Sequence, residues 1–133
     1  MRRLSSALVL LAFVAGCSSS DQVAPAAEVV QTVDATWSTD ARVGREAMGR
    51  YAFVCPSNPP ESDRDAIVWG SDPYTDDSSV CRAGVHAGAI TYASGGRVVV
   101  EMQPGQEQYV GSVRHGVETE DYGSWSGSFT VVR

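Results

Sequence analysis

Apolar residues along this chain fall into short blocks separated by clusters of Gly, Pro, Ser and Asp. Such blocks fit strands better than helices, which need about ten or more residues of 3.6-period pattern. Tyr51-Ala52-Phe53-Val54-Cys55 is aromatic and β-branched, and Pro56 ends it because proline has no amide proton to give a ladder. A loop then runs to about Arg64, and Ile67-Val68-Trp69 reads as a second strand closed by Gly70. Ser94-Gly95-Gly96 signals a turn before a strand over Arg97–Met102, which Pro104-Gly105 should stop. Tyr109-Val110-Gly111 and Ser128–Val132 complete the strands.

One segment reads differently. Thr75, Asp76, Asp77 and Ser78 offer side chains able to cap a helix, with negative charge where a helix dipole favours it. Val80, Cys81 and Val85 follow, interleaved with Ala83, Gly84, Ala87 and Gly88. The small faces Ala83/Ala87 and Gly84/Gly88 would admit close backbone approach, so this helix is expected inside the fold. One helix among several short strands predicts an α+β domain with mostly antiparallel pairing, since no second long helix exists to make crossovers.

The N-terminus has another logic. Met1-Arg2-Arg3 is a positive start, Leu4 to Ala15 is mostly apolar, and Ala15-Gly16 precedes Cys17, the layout of a secretory signal peptide over residues 1–16. Val14-Ala15-Gly16-Cys17 resembles the lipobox of bacterial lipoproteins. That resemblance implies acyl chains on Cys17, and at about 0.8 kcal/mol per buried methylene two or more of them anchor a protein durably to a membrane. It also implies the outer membrane as location in a host that has one, because Ser18 stands where Asp would favour inner-membrane retention. Residues 17–36, with Ser18-Ser19-Ser20 and Ala24-Pro25-Ala26-Ala27, have tether composition. Val29, Val30 and Val33 leave a strand or short helix open there, and the folded domain is expected over residues 37–133.

With Cys17 lipidated, Cys55 and Cys81 remain as an even pair in an oxidising compartment, which favours a disulfide, with two buried free thiols as the alternative. Closing roughly 25 residues would contribute about 3 to 3.5 kcal/mol by restraining the unfolded chain. The cysteines lack the close spacing of zinc ligands, and only His86 and His115 could complete such a site, so no metal or cofactor is expected.

Formal charge is −6; without Arg2 and Arg3 it becomes −8, eight basic residues against sixteen acidic. The chain has no Lys and its Arg are scattered, which argues against nucleic acid as a partner.

Several strings together resemble the LCCL domain family: Val68-Trp69-Gly70, the run Tyr74-Thr75-Asp76-Asp77-Ser78-Ser79-Val80-Cys81, Val85-His86-Ala87-Gly88-Ala89-Ile90, and Gly95-Gly96. Pro104-Gly105-Gln106, Tyr109-Val110-Gly111-Ser112 and Gly116-Val117 are similar to later family elements, and Trp37 to Pro56 and Trp125 to Phe129 resemble bacterial members. The resemblance implies a central helix wrapped by antiparallel β-structure, an extracytoplasmic setting, and ligand or partner binding without established enzymatic activity. Departures are His115 where Asn usually precedes Gly-Val, Gly84 and Ala89 in place of larger residues, and a missing second Cys of the usual Cys-Pro-x-x-Cys start. That last departure leaves the Cys55–Cys81 pairing resting on counting.

Catalysis finds little support. His86 reads as a hydrogen-bonded core histidine and His115 as a solvent-facing turn residue, while Ser112 and Ser78 have structural roles in a turn and a helix start. Gly123-Ser124-Trp125-Ser126-Gly127 has Trp where a nucleophile elbow needs Ser, so a small hydrolase is the weakest reading. Asp63/Asp65 and Asp72/Asp76/Asp77 lack the EF-hand pattern, leaving weak calcium binding as an alternative. Binding is the better expectation, with Trp69, Tyr74, Tyr109 and Arg114 as candidate contacts among aromatics able to stack on a sugar face. A polysaccharide or an envelope protein fits the charge, and a structural envelope lipoprotein without a ligand is the competing class.

Overall fold

The structure, a computed structural model, describes residues 28–44 and 47–133, together with Gly16. Cys17 and the rest of the signal segment and tether up to residue 27 lie outside the described residues.

Five strands form one sheet. They are β1 (Val29–Asp34), β2 (Arg50–Cys55), β3 (Tyr74–Thr75), β4 (Gly96–Gln106) and β7 (Trp125–Val131), in the order β1-β2-β4-β7-β3. The pairings are antiparallel except β1 with β2, which is parallel. A separate hairpin pairs β5 (Val113–Arg114) with β6 (Val117–Glu118). Between these two layers lies α1 (Val80–His86), buried at Val80, Cys81, Ala83, Gly84, Val85 and His86. The fold is α+β, with the one α-helix among the described residues enclosed by mostly antiparallel β-structure.

Helix α1 is placed by its ends. Ser79 accepts the Arg82 amide at 3.2 Å and donates to the Trp37 carbonyl at 2.6 Å, capping the helix and tying it to the preceding loop. At the other end the Gly88 and Ala89 amides reach back to the Val85 and Gly84 carbonyls. This Schellman closure needs a left-handed residue, which Gly88 supplies at φ 81°. Gly84 faces β4, where a Cβ would lie 2.6 Å from Val98 Cγ2, so the absent side chain sets how closely helix and sheet approach. Cys81 is bonded to Cys55 at the end of β2, across a Cα separation of 5.7 Å. The disulfide links the first turn of the helix to the sheet it covers.

Four expectations change. A strand begins at Val29, upstream of the boundary set at Trp37. Its side chains are mostly exposed, so it carries no buried apolar pattern and is held by its backbone ladder to β2. Ile67-Val68-Trp69 and Tyr109-Val110-Gly111 are not strands but contribute single bridges, Trp69 to Glu120 and Tyr109 to Tyr122. Pro104 does not stop β4, which runs to Gln106. The Met102 amide, two residues earlier and so on the same strand edge, donates to the Gly49 carbonyl. Beyond it β2 has no further residue, so the missing amide proton of Pro104 costs no ladder bond. Finally, Asp76 is not a helix-start charge. It is buried, its backbone pairs with Ala41 and Gly127, and its carboxylate accepts the Trp125 indole N–H at 2.8 Å.

Candidate binding surface

Of the four contacts expected from sequence, two belong to the core. Tyr74 is 0% and Tyr109 2% exposed. The Tyr74 hydroxyl shares a 2.8 Å hydrogen bond with His86 Nδ1, and burial, then the charge of Asp72, pushes its pKa well up, keeping it a neutral phenol. Tyr109 accepts the Gln106 amide at 3.0 Å and so fixes the end of β4. Neither ring is available to a ligand. Arg114 is exposed, and its guanidinium donates to the Ser71 carbonyl at 3.3 Å.

His86 is fully buried, as expected of a hydrogen-bonded core histidine. Its Nε2 lies 3.1 Å from the Ser112 hydroxyl, which is 2.6 Å from that of Ser71. Burial, then the neighbouring Arg114, lowers its pKa, so the ring is neutral at neutral pH. His115 is exposed as expected but also structural: its Nδ1 donates to the His86 carbonyl at 2.8 Å. With φ values of 50° and 74°, His115 and Gly116 form the left-handed pair of a tight β5–β6 hairpin turn.

Trp69, the third expected contact, does reach the surface, where it meets Tyr122, a ring the sequence did not mark as a site, which in turn meets Trp125. Its ring centroid is 5.7 Å from that of Tyr122, edge-on at 61°. Tyr122 is 5.8 Å from Trp125, at 84°. Tyr122 is 41% exposed, and Trp69 and Trp125 are half-buried.

Each ring of this strip is held from the backbone side. Trp69 donates its amide to Ser78 Oγ at 2.9 Å, while the flanking Val68 carbonyl and Gly70 amide pair with the backbone of Glu120. Tyr122 exchanges two backbone hydrogen bonds with Tyr109, at 2.8 and 3.0 Å. Trp125 opens β7, with its indole fixed on Asp76. Glu120 and Asp121, immediately before Tyr122, are exposed. With Gly111, Ser112, Val113, Glu118 and Thr119 they line an open cleft of about 430 Å³. The arrangement offers aromatic surface on rigid supports beside carboxylates, a chemistry suited to binding polyhydroxylated or cationic ligands. Among the described residues no group of three or more His, Cys, Asp or Glu is arranged to hold a metal ion.

Comparison with known proteins now bears on these residues. The sequence model of the LCCL domain matches residues 31–129. Vitrin from Bos taurus is 37% identical over 94 residues, covering 71% of this chain and 14% of that protein. The chain belongs to the LCCL domain family. Cysteine-rich secretory protein LCCL domain-containing 2 from Homo sapiens is 46% identical over 59 residues, covering 44% of the chain and 12% of that protein. Cochlin from Bos taurus is 38% identical over 80 residues, covering 60% of the chain and 14% of its own length. The chain thus spans less than a fifth of the length of these relatives.

The strings that carry the LCCL resemblance are mostly packing devices. A Cβ at Gly111 would overlap the Thr119 carbonyl oxygen, and one at Gly105 that of Trp125. Ser112 serves His86, and Tyr109 anchors β4. Tyr122, outside those strings, is the most exposed ring of the strip; its burial could not be read from Glu120-Asp121-Tyr122-Gly123, which has turn composition.

Proposed function

We propose that this LCCL domain is a non-enzymatic recognition module, tethered by lipid on Cys17 to a bacterial cell envelope, that binds an envelope glycan through Trp69, Tyr122 and Trp125. The observation that carries the reading is the exposed aromatic strip on a rigid backbone frame, because sugars present apolar ring faces that stack on such surfaces. The Gly111 and Ser112 amides beside the His86–Ser112 hydrogen bond are already bonded to Asp121 and Thr119, which supports binding over acyl-transfer chemistry. With both amides engaged, neither is left to stabilise an oxyanion beside Ser112.

Anchoring is supported by the apolar segment ending in Val14-Ala15-Gly16-Cys17, and in a diderm host the outer membrane is the expected destination. Mass spectrometry of the mature protein tests it: an acylated Cys17 at the N-terminus is expected, and an unmodified Met1 or Cys17 contradicts it. Binding of the full chain to an envelope-glycan array tests recognition. Saturable signal lost in Tyr122→Ala is expected; signal indifferent to Tyr122, or an envelope-protein partner captured in its place, counts against the glycan.

A further inference from the structure

We propose that the β5–β6 hairpin is a pH-sensitive flap, latched at neutral pH to the C-terminal end of α1 through His86 and His115 and released by acid while helix and sheet stay together. His86 Nε2 lies 3.1 Å from the Ser112 hydroxyl at the base of the hairpin. Across the same seam His115 Nδ1 donates to the His86 carbonyl at 2.8 Å, and its ring packs on the helix end, where a Cβ at Gly88 would lie 2.8 Å from its Cε1. Arg114, beside it, donates to the Ser71 carbonyl at 3.3 Å. The hairpin itself is small. Its strands have two residues each, it forms a sheet of its own, and of residues 113–118 only Val117 is buried. The Cys55–Cys81 disulfide stitches α1 to β2 and does not reach it. Just beyond it, Glu120 is held by backbone bonds to Val68 and Gly70, both 2.9 Å, which set where the flap would hinge. The latch does not depend on what the aromatic strip binds.

The charges that face this seam are mostly positive. Arg114 and His115 come from the hairpin, and Asp72 and Arg133 from the side of Tyr74. The Asp72 carboxylate is already engaged, by the Val131 amide at 3.0 Å and by Arg133 at 2.9 Å. Tyr74, on the other nitrogen of His86, stays a neutral phenol. Because His86 is fully buried, a proton on its ring places a cation out of water beside Arg114, and acid adds charge at His115 as well. Lifting the hairpin lets water reach His86 and moves Arg114 and His115 away from it. The open form therefore binds the proton more readily, and acid favours it.

Amide hydrogen exchange of the detergent-solubilised full chain, read residue by residue as protection factors over a pH series, tests this. The Ser112 and Thr119 amides bond across the base of the hairpin, to the Thr119 hydroxyl and the Ser112 carbonyl. Their protection should fall about tenfold or more between about pH 7 and about pH 5, while that of the Ala83 and Ala87 amides in α1 stays unchanged. His86→Gln should remove the fall. Arg114→Gln, which takes away a charge and keeps a donor for the Ser71 carbonyl, should shift it to lower pH. Should His86→Gln fail to fold, the Arg114→Gln profile decides alone. Protection lost from α1 together with the hairpin would overturn the proposal in favour of global unfolding. Protection independent of pH, or a fall that neither substitution alters, would overturn it too.

Discussion

The imidazole of His86 joins helix to hairpin layer, with Nδ1 2.8 Å from the Tyr74 hydroxyl and Nε2 3.1 Å from that of Ser112. This buried bridge requires a neutral ring, since protonation would leave a cation out of water and close to Arg114. The pKa in the folded state lies below the unfolded value of about 6.5, so the unfolded chain binds the proton more readily. The contribution is fully present above that unfolded value and is lost as pH falls from it through the folded pKa. The melting temperature should therefore fall as pH drops below about 6.5, and His86→Gln should flatten that fall while lowering stability at neutral pH. Parallel profiles for the two proteins would contradict the assignment.

The Cys55–Cys81 disulfide closes a sequence separation of 26 residues. Loop entropy assigns it about 3 kcal/mol. In urea unfolding, the double variant Cys55→Ala/Cys81→Ala should lose roughly that much, and thiol counting on the unreduced, denatured protein should find neither of the pair free.

Glycines at close backbone approaches should differ sharply from those in open space. Gly111→Ala drives a methyl into the Thr119 carbonyl and should cost more than about 2 kcal/mol. Gly123→Ala meets nothing within 4 Å and has no positive φ to violate, so a change within about 0.5 kcal/mol is expected. Equal losses in a denaturant series would refute the packing described for Gly111.

Aromatic truncations should divide in the same way. Tyr109→Ala removes a buried ring and an acceptor for the Gln106 amide, and a loss on the order of 3 to 5 kcal/mol is expected from chemical denaturation. Tyr122→Ala removes a ring 41% exposed to solvent and should cost about 1 kcal/mol or less. A severe loss at Tyr122 would recast the strip as core.

Much of this fold was legible because its determinants are local or countable. The α1 segment was legible from the cap-capable run Thr75 to Ser78 ahead of Val80-Cys81, although the cap itself is Ser79 and Gly88 lies past the helix end instead of on a helix face, and the disulfide was legible from an even pair of cysteines. Strand β1 was left open between strand, short helix and tether, because a side-chain pattern does not register a strand held by its backbone and exposed on most positions. Pro104 misled because its cost depends on where β2 ends, a relationship of strands far apart in sequence. The site was less legible still. Tyr74 and Tyr109 stand in family strings and were read as contacts, yet those strings encode packing, and the most exposed aromatic, Tyr122, lies in a segment that composition alone marks as a turn.

The most direct test of the central claim, that recognition runs through Trp69, Tyr122 and Trp125, is chemical-shift mapping of the full chain during titration with envelope oligosaccharide. The indole N–H resonances of Trp69 and Trp125 and the amides around Tyr122 should move together and saturably while those of α1 stay still. Shifts centred elsewhere, such as the cleft lined by Thr36, Ser38, Ser62 and Asp63, or no saturable shift at all, would contradict the account.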